Sequence, residues 1–359
     1  MKTRKFLAAP LCLCLALTML MTFFLTPLTG TAHAKSVIKL AFVSSEDPYL
    51  SVDGATAAVF KNLVEAGTNR EIEVRLFPAA VLGQEREMME MLKGGLIHVN
   101  LATAGSMGSF FPLYGAFDIP YLVPNHSVAY DVWDGAFGQK VDKLILEKTG
   151  LRSLGFYGQD GFYHITNNTR PIKSVADMKG LKFRTMTLPS HIKFFESMGA
   201  SAIPMSWAEL YTSLQTGVID GQHNPIGYTV QGKFQEVQKY MTLTSHMYAV
   251  GFLLVNDDWF QSLSPEHQNV VVDAARVARV AGRGITSIVS ADKNKGLPFL
   301  GEQMEIYSPT PKEIEGFANA TIPSMKKYVK ESLGKEGEDL LNDYIQAVED
   351  SKKKLGYTK

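Results

Sequence analysis

The stretch IKLAFV at residues 38–43 opens the part of the chain that decides the fold. It is a short apolar segment, and strand patterns of the same kind follow at residues 71–77 and 96–101. Apolar residues at helical spacing lie between these strands, at residues 53–67 and 83–93. The order strand, helix, strand, helix, strand predicts a parallel α/β lobe.

The same alternation returns in the middle of the chain. Ser174 and Asp177 have the spacing that starts a one-turn helix. Residues 181–186 are predicted to be a strand, and Pro189 opens the next helix. The capping box SWAE at 206–209 starts a further helix. These patterns predict a second α/β lobe.

Capping residues mark the remaining helices. Asp53 is predicted to cap the first helix of the first lobe. Ser264 and Pro265 start a long helix with an apolar stripe, and a capping box begins at Thr310. Residues 338–355 have the pattern of an amphipathic helix. We expect these last helices to pack across the two lobes.

The N-terminus has the pattern of a secretory signal peptide. A basic start precedes residues 6–34, which contain no Asp, Glu, Lys or Arg and end in Ala-His-Ala before Lys35. We expect cleavage after Ala34 and a periplasmic location; the alternative is an uncleaved membrane anchor. Both cysteines lie in this segment, so the mature chain is expected to contain no disulfide.

Charge and motif content favour a binding protein. The 359 residues include 36 Lys and Arg against 36 Asp and Glu, without the basic excess that nucleic-acid binding needs. The sequence contains no phosphate-loop, dinucleotide-binding, nucleophile-elbow or zinc-protease motif. We therefore predict no catalytic residues, no metal site and no cofactor.

Three segments carry a resemblance to a known family. They are LGQEREM at 82–88, DMKGLKFR at 177–184 and LQTGVIDGQHNP at 214–225. In this order, and behind a signal peptide, they resemble the DctP family, the periplasmic solute-binding subunits of tripartite ATP-independent periplasmic (TRAP) transporters. The resemblance covers residues 37–355. It implies an α/β, two-lobed periplasmic binding protein fold, with a ligand cleft between the lobes and a long bridging helix.

The resemblance also implies the partners and the layout of the chain. The ligand would be an organic acid, and the membrane subunits of the transporter would receive it. Lobe 1 is expected over residues 35–160, with 248–285 returning to it or bridging, and lobe 2 over 161–247. The C-terminal helices of 286–359 would pack across both lobes. We expect a monomer.

Arg184 is the first candidate for ligand binding. Strand alternation places Arg184 and Lys182 on one face, near the C-terminal end of the strand, where open α/β sheets present ligand groups. A guanidinium can hold a carboxylate through two parallel hydrogen bonds. The resemblance implies this role, because the family uses the Arg of this motif for the ligand carboxylate. The alternative is a solvated Arg paired with a nearby acid.

The third segment supplies two more candidates. Residues 220–225 are rich in turn formers and predict a loop after a short strand. The resemblance implies a ligand contact for Asn224; the alternative is an Asn that satisfies the turn backbone. Family members commonly have Glu where this chain has His223. That change is either a loop substitution without effect or a different polar contact that responds to pH.

A second departure concerns Tyr163. Many family members read Gly-Phe-Arg where this chain has Gly161-Phe162-Tyr163, so a second cation would be missing here. We therefore favour a monocarboxylate with a partly apolar or aromatic body, held by Arg184, over a dicarboxylate. The remaining candidates for ligand contacts are Phe117, Trp207, Tyr228 and Glu46. The alternative for the three aromatic residues is packing in the core, and the alternative for Glu46 is a solvated loop.

Two rival functions stay open at this stage. A ligand-sensing protein would present its closed form to a membrane receptor instead of a permease. A periplasmic enzyme on the same fold would need a poised base or nucleophile, and no motif supplies one.

Overall fold

The structure is a computed structural model that describes residues 36–357. The predicted signal peptide, with its cleavage site after Ala34, lies outside the described residues. Within residues 36–357, no helix has both the length and the apolar character needed to cross a bilayer.

Two β-sheets form the centres of two lobes. The first sheet contains β1 (Ser36–Ala41), β2 (Ile72–Phe77), β3 (Val99–Ala102), β4 (Leu151–Phe156) and β10 (Phe252–Asn256). The second contains β5 (His164–Asn167), β6 (Lys182–Thr185), β7 (Ser201–Pro204), β8 (Gly221–Asn224), β9 (Tyr240–Thr242) and β11 (Glu305–Tyr307). The strand orders are β2-β1-β3-β10-β4 and β11-β9-β5-β8-β6-β7. We call the parts built on these sheets lobe 1 and lobe 2.

Both sheets combine parallel and antiparallel pairs. In lobe 1, β1 is parallel to β2 and β3, as the strand–helix alternation predicts. The strand β10 then returns from the second half of the chain and pairs antiparallel with β3 and β4. In lobe 2, β6 is parallel to β7 and β8, whereas β5 is antiparallel to β8 and β9.

Helices cover the sheets and connect the lobes. Those that follow strands of lobe 1 are α1 (Val52–Gly67), α2 (Glu85–Lys93), α3 (Ala104–Gly108), α4 (His126–Asp134), α5 (Ala136–Thr149) and α9 (Asp257–Ser262). Those of lobe 2 are α6 (Pro189–Ser197), α7 (Trp207–Gln215), α8 (Ile226–Gln231) and α11 (Leu297–Gly301). Three longer helices are α10 (Pro265–Ala291), α12 (Pro311–Ser332) and α13 (Gly334–Lys354). Short 3-10 helices lie at Pro112–Phe117, Val175–Met178 and Phe234–Glu236.

The helix starts follow the predicted caps, with one exception. Predicted capping residues are found at Ser174, Ser206, Ser264 and Thr310. The prediction for Asp53 is wrong, because Ser51 caps α1 by accepting a hydrogen bond from the Gly54 amide at 3.1 Å. Asp53 lies inside the first turn, and its carboxyl is fully buried.

The helix α10 bridges the lobes. Its 27 residues span about 40 Å. It packs along α1, and Gly282 permits this close approach, since a Cβ there would lie 2.2 Å from Thr56 Oγ1. Arg283 donates two hydrogen bonds, of 2.5 and 2.8 Å, to the Asp134 carboxylate of lobe 1. The chain then enters lobe 2, where β11 pairs with β9.

Two more segments cross between the lobes side by side. Residues 157–163 lead from β4 to β5, and residues 247–251 lead back towards β10. The Tyr157 amide donates to the Gly251 carbonyl at 3.0 Å, and the Tyr163 amide donates to the Met247 carbonyl at 2.9 Å. Together with α10, this hydrogen-bonded pair gives three covalent connections between lobe 1 and lobe 2.

An aromatic core encloses Phe117. Its ring lies 5.0 Å from Trp133, 5.8 Å from Tyr344 and 6.0 Å from Phe137, measured between ring centroids. The residue is 3% exposed. This placement corrects the expectation that Phe117 lines the ligand cleft: rings from α4, α5 and α13 enclose it on several sides.

Candidate functional site

A cavity of about 610 Å³ lies between the two lobes. Lobe 1 contributes the loop after β1, including the exposed Glu46, and Gln84 at the start of α2. Lobe 2 contributes Trp207 and Ala208 at the start of α7, and Gln231 at the end of α8. Because both lobes form its walls, this cavity changes shape whenever the lobes move.

Arg184 is a buried cation without a counterion among the described residues. It lies in β6 and is 1% exposed. Its Nε donates to the Met205 carbonyl at 3.0 Å, but no described residue forms a hydrogen bond or an ion pair with its terminal Nη atoms. Burial lowers the pKa of Arg184, an effect that Glu85 opposes, and a guanidinium keeps its charge in such places. An unpaired buried charge is costly, so this geometry suits an incoming anion.

Arg184 and Asn224 lie at the same edge of the second sheet. The strands β6 and β8 are parallel neighbours, so their carboxyl ends meet there. The loop predicted for residues 220–225 is wrong: residues 221–224 form β8, which pairs with β5 and β6 on its two sides. Asn224 is 4% exposed and donates from Nδ2 to Gln222 Oε1.

The two departures from the family pattern are in contact. The rings of Tyr163 and His223 stack with centroids 4.8 Å apart, and both residues are fully buried. His223 is therefore part of the packed strand β8, which corrects the loop-substitution alternative. The Tyr163 hydroxyl has no hydrogen-bond partner within residues 36–357. A stacked pair of neutral rings thus occupies both positions at which the resemblance implies a departure from the family pattern.

His223 is the middle of a chain of buried hydrogen bonds. Thr244 Oγ1 lies 2.7 Å from His246 Nδ1, and His246 Nε2 lies 3.1 Å from His223 Nδ1. His223 Nε2 lies 3.2 Å from His191 Nδ1, and His191 Nε2 lies 3.5 Å from Asp118 Oδ1. With Thr244 as the first donor, His246 and His223 each accept at Nδ1 and donate from Nε2 to the next ring, so both fit the chain in their neutral form. His191 Nε2, at the end of the chain, forms no hydrogen bond within residues 36–357.

We expect His223 and His246 to stay neutral well below pH 6.5. Burial lowers the pKa of His223 and of His246 far below the ordinary value, and it lowers the pKa of the separate buried His164 to about 4. Imidazole ¹⁵N shifts recorded by NMR between pH 8 and pH 5 should therefore show neutral rings at His223 and His246 throughout. Protonation of either ring near pH 6.5 would contradict the buried chain.

Two carboxyl groups beside the cleft were not selected from the sequence. Tyr228 donates from its hydroxyl to Asp53 Oδ2 at 3.0 Å, and Ser44 donates to the same oxygen at 2.6 Å. Glu85, in α2, is half-buried and influences the pKa of Arg184 and of Asp53. The first sequence motif contained Glu85, but nothing in the local pattern distinguished Asp53 from an ordinary acidic residue in a first helical turn.

The structure thus places the predicted site residues in separate groups. Arg184, Tyr163 and His223 interact directly or electrostatically. The Trp207 ring contacts Tyr228, with centroids 5.7 Å apart. Glu46 lies on the outer wall of the cavity, while Phe117 lies in the core as described above.

Known proteins share this sequence and this fold. The model of the family described as bacterial extracellular solute-binding protein, family 7 (DctP), matches residues 43–332. The 2,3-diketo-L-gulonate-binding periplasmic protein of Escherichia coli strain K12 is 35% identical over 239 residues, which cover 67% of this chain and 71% of that protein.

Two solved structures are similar over nearly their whole length. A TRAP periplasmic solute binding protein from Polaromonas sp. JS666, bound to D-erythronate, is 32% identical with a TM-score of 0.78, and the match covers 87% of this chain and 98% of that one. Another from Desulfovibrio salexigens, with bound orotic acid, is 28% identical with a TM-score of 0.82, and the match covers 88% of this chain and all of that one.

These similarities confirm the two-lobed periplasmic binding protein fold. They agree with the cavity between the lobes. The chain belongs to the DctP family of periplasmic solute-binding proteins, which bind organic acids and work with the membrane permease subunits of TRAP transporters.

Proposed function

We propose that this protein binds a monocarboxylate with a partly apolar or aromatic body and delivers it unchanged to a TRAP permease. The observation that carries the proposal is Arg184, a buried guanidinium whose terminal nitrogens have no partner among residues 36–357. One carboxylate would satisfy both the charge and the donors of Arg184 through two parallel hydrogen bonds.

The surroundings of Arg184 favour one carboxylate over two. Tyr163 is a neutral ring at the position where many relatives have a second Arg, and its pKa is raised well above the ordinary value by burial. Glu85 and Glu209 add negative potential near Arg184. A second carboxylate in the same cleft would therefore meet repulsion without a cation of its own.

The rings around the cleft support an apolar or aromatic body. Trp207 lines the cavity and packs on Tyr228, which is 3% exposed. Among similar proteins, the one bound to orotic acid holds an aromatic acid, and the one bound to D-erythronate holds a hydroxylated acid. Each of these ligands has a single carboxyl group, as the proposal requires for this chain.

Binding would close the lobes by rotation about the crossing segments 157–163 and 247–251. A ligand drives this closure only if it has a higher affinity for the closed form than for the open form. The closed form would then be the one that the permease recognises. No chemical step is needed, and the bound acid should leave as it entered.

The test is a calorimetric titration of the mature protein with orotate, D-erythronate and succinate. We expect orotate or D-erythronate to bind at least tenfold more tightly than succinate, because succinate carries a second, unpaired carboxylate. Mass spectrometry should recover the bound acid unchanged after prolonged incubation. Tightest binding to succinate would overturn the monocarboxylate proposal, and conversion of the acid would reveal an enzyme.

A further inference from the structure

We propose that Gly227 and Tyr228 of lobe 2 form a latch with Asp160 and Asp53, which holds the lobes closed and takes up a proton as it forms. The inference rests on the proposed function, since the latch would stabilise the closed, acid-bound form. It assigns Tyr228, one of the candidate ligand contacts, a positioning role between the lobes.

The first half of the latch joins residues whose packing belongs to different lobes. Asp53 lies in α1, next to Val52, which packs in the core of the first sheet. Tyr228 lies in α8, whose Ile226 and Val230 pack against Met241 and Leu300 in lobe 2. The Tyr228 hydroxyl donates to Asp53 Oδ2 at 3.0 Å, and both residues are buried.

The second half of the latch uses the backbone of the next residue. The Gly227 amide donates to Asp160 Oδ2 at 2.6 Å, and Asp160 belongs to the crossing segment 157–163. A Cβ on Gly227 would lie 2.3 Å from that oxygen, so only glycine allows this approach. Asp160 itself has a φ of 64°, in the left-handed region that Asp adopts more readily than most residues.

Neither carboxyl has a cationic partner. No Lys or Arg of residues 36–357 forms an ion pair or a hydrogen bond with Asp53 or Asp160, and Asp53 Oδ1 has no hydrogen-bond partner there. The groups that face Asp53 are neutral or acidic: Ser44, Tyr157, Tyr228 and Glu85. Those that face Asp160 are the Gly227 and Tyr228 backbone, Thr286, Asp53 and the Tyr130 and Tyr228 side chains.

Closure should therefore be linked to protonation. Burial raises the pKa of Asp53, and burial together with Asp53 raises the pKa of Asp160 to about 7. When the lobes open, water reaches these carboxyls and their pKa returns towards the ordinary, lower value. At pH values between the pKa of the open form and the pKa of the closed form, the closed form binds more protons than the open form. Closure is therefore favoured as the pH falls from 8 to 6.

The first arm of the test removes the hydrogen bond between the lobes. Tyr228→Phe keeps the ring that packs on Trp207 but loses the hydroxyl donor. The matched control is Tyr211→Phe, which removes a hydrogen bond of 2.8 Å to Glu236, a residue of the same lobe. We expect Tyr228→Phe to weaken binding of orotate or D-erythronate by roughly tenfold, as for a hydrogen bond to a charged group, and the control to leave it unchanged.

The second arm of the test removes the titratable carboxyl group of Asp160. Asp160→Asn can still accept a hydrogen bond from Gly227 and tolerates the positive φ, but it cannot titrate. In the wild type, the affinity for the same acid should rise by up to about tenfold between pH 8 and pH 6, the limit for one such carboxyl over this range. In Asp160→Asn this rise should be reduced or lost. An equal rise in both proteins would overturn the proton uptake.

A direct measurement of lobe separation completes the design. The mature chain contains no cysteine, so spin labels on cysteines replacing the exposed Glu90 of lobe 1 and Val218 of lobe 2 give one inter-lobe distance by pulsed electron resonance. The closed fraction should be larger at pH 6 than at pH 8 and smaller in Tyr228→Phe. Identical distance distributions in all samples, with and without orotate or D-erythronate, would overturn the latch. Absence of binding by either acid, with distances that still respond to pH and to Tyr228→Phe, would instead overturn only the proposed function.

Discussion

Replacing Arg184 by glutamine should abolish acid binding while leaving the protein folded. Loss of a buried, hydrogen-bonded charge pair typically costs several kcal/mol, so we expect the Kd for orotate or D-erythronate to rise by roughly a hundredfold or more. The ligand-free variant should be at least as stable as the wild type. In the wild type Arg184 is 1% exposed and has no counterion among residues 36–357, so its removal relieves a desolvation cost.

The Arg184→Gln variant needs two measurements and one control. Titration calorimetry gives the loss of affinity, and thermal unfolding without ligand gives the change in Tm. Arg86→Gln is the control, because it removes the same side chain from an exposed position in α2 of lobe 1, where Arg86 pairs only with Glu90. If the variant binds the acid as tightly as the wild type, Arg184 does not contact the ligand. A variant with a much lower Tm would indicate a structural role instead.

Replacing Phe117 by alanine should have the largest effect on stability. The ring is enclosed by Trp133, Phe137 and Tyr344, and truncation would leave a cavity in this core. Such truncations cost about 3–5 kcal/mol of unfolding free energy. Because Phe117 lies outside the cleft, the protein that remains folded should bind its acid with the wild-type Kd.

Urea unfolding of Phe117→Ala and Phe117→Leu would check this expectation. The leucine variant fills part of the space and should lose clearly less stability than the alanine variant. Calorimetric titration at a temperature where both variants are folded would supply the affinity. A Phe117→Ala variant that is as stable as the wild type but binds the acid more weakly would indicate that Phe117 contacts the ligand.

Local patterns predicted the long helices and the parallel strands of the first sheet. Capping residues such as Ser206 and Thr310 act through bonds to amides within one turn, so their effect is readable in a few residues of sequence. The strand β8 was missed for the opposite reason. Its residues, Gly-Gln-His-Asn, have little strand propensity, and they form a strand because β5 and β6 supply backbone partners on both sides.

The site residues follow the same rule: those marked by a local sequence pattern were predicted, and those defined by a partner far away in the sequence were not. Arg184 was found through a motif and the alternation of one strand. Asp53 was misassigned as a helix cap because its partner, Tyr228, lies 175 residues further along the chain. The chain of histidines joins residues 191, 223 and 246, whose spacing follows no helix or strand period. The sequence departs from the family pattern at both Tyr163 and His223, but only the structure shows that the two rings are in contact.

The three connections between the lobes limit the kind of motion that ligand binding can produce. Residues 157–163 and 247–251 are hydrogen-bonded to each other, and α10 is tied to lobe 1 by Arg283 close to the point where the chain leaves it. Sliding or twisting one lobe against the other would stretch at least one of these tethers. Rotation about a single axis through the paired segments would not. We therefore expect the lobes to open by rotation about one axis through the paired segments, with α10 limiting how far they separate.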